Sequence, residues 1–71
     1  MVVGSKQLRK ALENGRAKFV YLAENADPEI TGPIEERCKL NHVSYAWVRT
    51  MQELGSACGI EVGAAAAATV E

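Results

Sequence analysis

The sequence predicts a three-layer α/β/α sandwich, in which a small sheet, mostly parallel or mixed, lies between helices on both faces. Helix patterns alternate with strand patterns along the chain, an order that favours neighbouring parallel strands. The two clear strand segments, 17–22 and 43–48, are almost continuously apolar, as expected for strands covered on both faces. A chain of 71 residues has room for one core, so we expect residues 1–71 to form a single domain.

The first helix is expected over residues 6–14, after a short apolar stub at residues 1–3 that ends at Gly4. Ser5 is expected to be its N-cap, because a serine hydroxyl can accept a hydrogen bond from a free N–H of the first turn. Gly15 is expected to end the helix in the left-handed conformation.

A second helix should begin at Asp27 and Pro28, with Asp27 as N-cap and Pro28 at the first helical position. Gly32 and Pro33 are expected to interrupt it, leaving one turn over 28–31 and then a helix to about Leu40. Asn41 can take the left-handed conformation that closes this helix.

The last third of the chain contains one clear helix signal and one ambiguous segment. Residues 50–53 have the capping-box pattern, which predicts a short helix from Met51 to about Cys58, ended by Gly59. Residues 59–63 then form a loop with glycine at both ends. The tail 64–70 is ambiguous, because alanine favours helix by propensity whereas a strand would complete the sheet.

The charge distribution is uneven, although the net charge is only −1. Residues 1–20 contain five basic residues and one acid, a balance of +4, and residues 21–71 contain three basic residues and eight acids, a balance of −5. A basic end can bind a polyanion because screening limits the repulsion from distant acids. The alternative is an ordinary solvated charged helix.

The sequence offers little for catalysis or metal binding. A structural zinc site needs four ligands, and Cys38, His42 and Cys58 supply at most three. We expect Cys38 in the core and His42 in a surface loop, with no metal and no cofactor. A Cys–His nucleophilic pair would need an orienting group and an oxyanion hole that no motif marks, so we do not expect an enzyme. No signal peptide or membrane-length apolar run is present, and a reduced cytoplasmic setting is expected.

Four aromatic residues, Phe19, Tyr21, Tyr45 and Trp47, fall in the predicted strands. They could form a base-stacking platform like that of a single-strand-binding protein. Helices on both faces of the sheet would instead cover them, and we favour the core interpretation.

The start of the first helix is the most informative candidate site. The free N–H groups of a helix start attract anions. Lys6, Arg9 and Lys10 share one helix side by their spacing. Gln7 lies beside them and offers both a donor and an acceptor, which suits the reading of base edges. A capped surface helix without a ligand is the alternative.

Three segments of the chain carry a resemblance to a known family. Residues 4–10 (GSKQLRK) resemble the Gly-Thr-Asn/Lys-Glu/Gln-x-x-Lys signature of the L-seven-Ae kink-turn-binding family of ribosomal proteins. Residues 23–28 (AENADP) resemble the loop that follows its next strand, and residues 54–65 (LGSACGIEVGAA) are similar to its most specific segment. The greatest similarity is to small bacterial YbxF-type members, and the helix that the family normally has before Gly4 is expected to be missing.

The resemblance implies an RNA-binding domain that grips a kink-turn, a sharply bent RNA helix with tandem sheared G·A pairs. It places Lys6, Gln7 and Lys10 at the G·A pairs and the nearby backbone, with Gly4 and Ser5 as further RNA-binding residues. It places the loop of Ile60, Glu61 and Val62 over an extruded nucleotide. Ile60 and Val62 would then act by packing on an unstacked base or sugar.

The partner expected from this resemblance is a structured RNA with a kink-turn, with ribosomal RNA as one candidate, bound by a monomer away from any membrane. The alternative from another class is a protein-interaction subunit that kept the fold and lost RNA binding.

Overall fold

The computed structural model describes residues 1–60 and 63–70. Strands and helices alternate along the chain: β1 (Val2–Val3), α1 (Ser5–Glu13), β2 (Ala17–Ala23), α2 (Pro28–Leu40), β3 (Ser44–Val48), α3 (Met51–Ala57) and β4 (Ala66–Val70).

The four strands form one mixed sheet in the order β1-β4-β2-β3. Strands β2 and β3 are parallel, whereas β4 is antiparallel to both of its neighbours, β1 and β2. The mixed form of the predicted sheet is therefore the one observed. The ambiguous tail is a strand, and it lies in the interior of the sheet.

Helices cover both faces of the sheet, which confirms the predicted three-layer sandwich. Helices α1 and α2 lie on one face and enclose a first core cluster made by Leu8, Leu12, Val20, Leu22, Ile34, Cys38, Ala66 and Ala68. Helix α3 lies on the other face over a second cluster made by Ala23, Ala26, Leu54, Ala64 and Ala67.

The buried part of strand β4 consists of alanine and lies at the centre of these layers. Ala66, Ala67 and Ala68 are fully buried, and they alternate between the two clusters. Small side chains let helices approach the sheet closely from both faces, and hydrogen bonds to β1 and β2 satisfy the backbone on both edges. These pairings override the intrinsic preference of alanine for helix.

Helix α1 begins one residue earlier than predicted. Gly4 is the N-cap, with φ 102°, and Ser5 is the first helical residue, so the prediction that Ser5 caps the helix is wrong. The reason is that the Gly4 N–H donates to the carbonyl of Ala66, which holds Gly4 at the sheet edge where the chain must turn at once into the helix. Gly15, with φ 67°, ends the helix as predicted.

Helix α2 is continuous through Gly32 and Pro33, so the predicted interruption is wrong. Pro33 removes one backbone donor from the helix, but it lies on the exposed face, where water can reach the carbonyl that loses its partner. The opposite face carries Thr31, Ile34 and Cys38, all buried. Packing of that face on the sheet holds the helix together across the proline.

The left-handed residue that closes α2 is His42, with φ 55°, and not Asn41, whose φ is −95°. The N–H of Val43 donates to the Cys38 carbonyl at 2.8 Å, and the N–H of His42 donates to the Lys39 carbonyl at 3.4 Å. These two contacts form a Schellman motif, which requires the left-handed residue one position after Asn41. His42 is exposed, as predicted.

The aromatic side chains are less buried than predicted. Phe19, Tyr21 and Tyr45 are half-buried, and Trp47 is 42% exposed, so the core interpretation is wrong for Trp47. Its strand, β3, lies at the edge of the sheet and is bonded to β2 on one side. An edge position leaves a large side chain partly uncovered.

No helix within the described part of the chain is long and apolar enough to cross a membrane.

Candidate functional site

The segments with candidate site residues lie together at one edge of the sheet, where β1, β2 and β3 end and β4 begins. Strands β1, β2 and β3 run in one direction and β4 in the other, so the segments that follow the first three strands meet the segment that enters β4. Backbone hydrogen bonds join these segments: Gly4 N–H to Ala66 O at 3.0 Å, Ala23 N–H to Ala65 O at 3.0 Å and Glu24 N–H to Val48 O at 2.8 Å. Ligands of open α/β sheets commonly bind at the carboxyl ends of strands.

The amino terminus of α1 lies at this edge, and its first N–H groups are not bonded within the helix. The first intrahelical bond runs from the Leu8 N–H to the Gly4 carbonyl at 3.0 Å, so the N–H groups of Ser5, Lys6 and Gln7 have no acceptor within the helix. The cap makes no side-chain hydrogen bond, and the first turn contains no acid. The positive end of the helix dipole therefore has no neutralising group within its own helix.

The polar side chains of α1 divide between two sides of the helix. Lys6, Arg9, Lys10 and Glu13 line one shallow groove, as their spacing predicts. Gln7 lines a cleft on the other side, and Lys10 borders both. Lys6, Gln7 and Lys10 are all exposed, so they are available to a ligand at the helix start.

Asn25 organises this edge, and the sequence analysis did not identify it. Its Oδ1 accepts a hydrogen bond from the N–H of Met51, the first residue of α3, at 2.7 Å. The Met51 carbonyl in turn accepts from the N–H of Ala64 at 3.0 Å. Asn25 thus ties the start of α3, and through it the segment entering β4, to the loop after β2. No sequence pattern links two residues that lie 26 positions apart.

The structure places Ile60 partly inside the protein. Its side chain is half-buried and packs against the second core cluster, and its N–H donates to the Gly55 carbonyl at 3.0 Å. Ile60 is thus partly tucked into the core, and the rest of its side chain is exposed. Glu61 and Val62 lie outside the described residues. Gly63 packs closely on α3, because a Cβ added there would lie 3.0 Å from the Met51 Cβ and would require Met51 to shift.

The cysteines are not placed for shared chemistry. Cys38 is fully buried in the first cluster, as predicted, whereas Cys58 packs against the second cluster on the opposite face of the sheet. Burial, and to a lesser extent the negative charge of Glu35, raises the pKa of the Cys38 thiol above its ordinary value of 9.0. Among residues 1–60 and 63–70, no group of three or more His, Cys, Asp or Glu side chains could hold a metal ion.

The sandwich and the basic residues at the start of α1 define a class of small α/β/α domains with a cationic helix start. Comparison with known proteins narrows that class. The model of the ribosomal protein L7Ae/L30e/S12e/Gadd45 family matches residues 1–71, and the chain belongs to this family.

Relatives within this family include small bacterial proteins. The chain is 44% identical over 69 residues to an RNA-binding protein of Caldanaerobacter subterraneus subsp. tengcongensis, covering 97% of this chain and 84% of the relative. It is 46% identical over 69 residues to an RNA-binding protein of Geobacillus sp., with the same coverage of both chains. Among solved structures, the Giardia lamblia 15.5kD RNA binding protein superimposes with a TM-score of 0.90 at 28% identity. That match covers 97% of this chain and 58% of the Giardia chain.

Proposed function

We propose that this protein binds structured RNA and recognises the kink-turn. The observation that carries the proposal is the open amino terminus of α1, where Lys6, Gln7 and Lys10 are exposed beside the segment that enters β4. Its relatives named as RNA-binding proteins, and its membership of the family, support the same function.

The helix start supplies both charge and directed donors. The N–H groups at Ser5, Lys6 and Gln7, which have no acceptor within the helix, hold phosphate or base oxygens. Lys6 and Lys10 neutralise backbone phosphates at the bend. The Gln7 amide, with one acceptor and two donors, reads base edges at the G·A pairs. Because Lys6 is charged, its contact with a phosphate makes the affinity for RNA depend on salt concentration.

The loop before β4 contributes packing. Ile60 is anchored on the second core cluster, so its exposed part can support an unstacked nucleotide without itself moving. Glu61 and Val62 enter the proposal by their position between Ile60 and Gly63 in the sequence. Asn25 acts indirectly, by holding the start of α3 and the segment at Ala64 in place.

The decisive experiment compares two RNAs that differ only at the bend. One contains a kink-turn, and the other carries substitutions that disrupt its tandem G·A pairs. Tight binding to the first and weak, strongly salt-dependent binding to the second supports the proposal. Equal binding to both overturns kink-turn recognition and leaves a general RNA affinity. No binding to either overturns RNA binding itself.

We propose a monomer that works in the cytoplasm without a cofactor or a catalytic step, on a kink-turn RNA for which ribosomal RNA is one candidate. The alternative is a protein-interaction subunit of the same fold. The exposed Trp47 on the edge strand β3 favours a protein contact there, and this alternative gains if neither RNA is bound.

A further inference from the structure

A cleft runs along α1 on the side away from Arg9 and Glu13. It has a volume of about 260 Å³. Its lining consists of Val2, Gln7, Lys10, Ala11, Asn14, Arg16 and Val70. The cleft begins at the proposed RNA site, because Gln7 and Lys10 belong to both, and it continues past the carboxyl end of the helix.

The cleft lies beside the pairing of β1 with β4. Strand β1 pairs with β4 at Val2 with Ala68 and at Val3 with Ala67, and β4 continues to Val70. Helix α1 packs over this corner of the sheet. Val2, Ala11 and Val70 form an apolar floor, and polar side chains form the rim.

The rim is suited to a polyanion. It carries two cations, Lys10 and Arg16, and two amides, Gln7 and Asn14, and no carboxylate lines it within the described part of the chain. The acid of α1, Glu13, lies on the other side of the helix, with its Oε1 3.8 Å from the Arg37 guanidinium. Both sides of the helix therefore carry a net positive charge, and an acid lines the groove but not the described part of the cleft.

The position of Arg16 is set by the end of the helix. Gly15 is left-handed, and the Arg16 N–H donates to the Ala11 carbonyl at 2.9 Å while the Gly15 N–H donates to that of Leu12 at 3.2 Å. This Schellman motif holds the Arg16 backbone against the last turn of α1. The seven-residue step from Gln7 to Asn14 spans about 10 Å at ~1.5 Å per residue.

We infer that this cleft holds the sugar–phosphate backbone of an RNA strand that leaves the kink. The inference rests on the proposed function and extends it from the bend to one flanking helix. Arg16 and Lys10 contact successive phosphates, the Asn14 and Gln7 amides bond phosphate or 2′-hydroxyl oxygens, and the apolar floor packs against ribose. Such contacts position an RNA and do not read its sequence.

Three variants test the cleft, all measured with kink-turn RNA across a range of salt concentrations. Arg16→Ala should weaken binding by roughly three- to tenfold at low salt and reduce the magnitude of the salt slope by about 1. Arg16→Lys keeps the charge and should retain the slope. Lys39→Ala removes the same charge from the exposed carboxyl end of α2, and it is the matched control that should change neither quantity.

Shortening the RNA locates the contact. The two stems that flank the bend are shortened in turn, and the effect of Arg16→Ala should disappear with one of them, while that of Lys10→Ala persists with both. If Lys10→Ala weakens binding but Arg16→Ala does not, the cleft is overturned and the proposed function stands. A loss at Arg16 that is independent of salt and of both stems also overturns the cleft. If the unmodified protein does not distinguish the kink-turn from its disrupted form, the proposed function fails first.

Discussion

Lys10 borders both the groove and the cleft beside α1, so it can reach a ligand on either side of the helix. It lies one turn from the open helix start, on an exposed position that contributes nothing to either core cluster. A change at Lys10 should therefore affect binding without affecting the fold.

We predict that Lys10→Ala lowers the affinity for kink-turn RNA and reduces the magnitude of the salt slope by about 1, because one phosphate contact is lost. Titration at several salt concentrations measures both quantities, with Lys39→Ala as control. An unchanged melting temperature must accompany the result, and an unchanged slope and affinity would remove Lys10 from the site.

Cys38 illustrates a residue whose role is packing. Its pKa is raised by burial and by Glu35, so the folded state holds the thiol proton more tightly than the unfolded state does. The contribution of this thiol to the free energy of unfolding is fully present below the ordinary thiol pKa of 9.0, and it is lost as the pH rises through the raised pKa of the folded state. The pKa of Tyr45 is raised in the same sense, by desolvation and by Glu35.

We predict that thermal stability falls above about pH 9 and that Cys38→Ala reduces this fall. The same variant should lose roughly 1–2 kcal/mol at neutral pH, because it leaves a small cavity in the first cluster. Melting curves from pH 7 to 11 measure both effects. A pH profile identical to that of the unmodified protein would mean that Cys38 does not contribute to the alkaline loss, and Tyr45→Phe then tests the remaining group.

At the scale of elements, all three helices end in the same way. Each has a left-handed residue just after its C-cap: Gly15 after α1, His42 after α2 and Gly59 after α3. Glycine takes this conformation without steric cost, whereas a side chain with a Cβ does not. The end of α2 is therefore the one that carries backbone strain.

We predict that His42→Gly stabilises the protein by about 0.5–1 kcal/mol, since relief of strain exceeds the added freedom of the unfolded chain. Asn41→Gly is the matched control, because Asn41 has φ −95° and gains nothing from glycine. Urea unfolding of the two variants measures the difference. Equal free energies of unfolding for the two would show that the strain at His42 is negligible.

At the scale of the whole molecule, close packing on both faces of β4 is the main feature of the core. The central strand contributes only alanine to the two clusters, and the largest buried side chains come from the helices and β2. The size of the side chains that β4 can hold is thus limited by α1 and α2 on one face and by α3 on the other.

We predict that Ala68→Leu destabilises the fold by about 1–3 kcal/mol, although leucine is the more apolar residue, because Ala68 is fully buried and a larger side chain must displace its neighbours in the first cluster. Ala65→Leu, at a half-buried position before β4, is the milder comparison. Chemical unfolding measures both, and a gain in stability for Ala68→Leu would show that the core contains unfilled space.

The candidate site was predictable where its signal is local. The basic spacing of Lys6, Arg9 and Lys10 and the glycine before them place a cationic helix start within a few residues of sequence. The Asn25 bond to Met51 and the cleft between α1 and the end of β4 join distant segments, so no local pattern contains them.

The sequence by itself determined the alternation of helices and strands, the starts of α2 and α3, and the end of α1, because capping and apolar periodicity act between near neighbours. Tertiary structure decided the rest. Hydrogen bonds on both sides turned the alanine tail into a strand, packing on the sheet carried α2 through Pro33, and the bond from Gly4 to Ala66 moved the start of α1. In each of these places a contact between distant residues contributes more free energy than the local preference that it opposes.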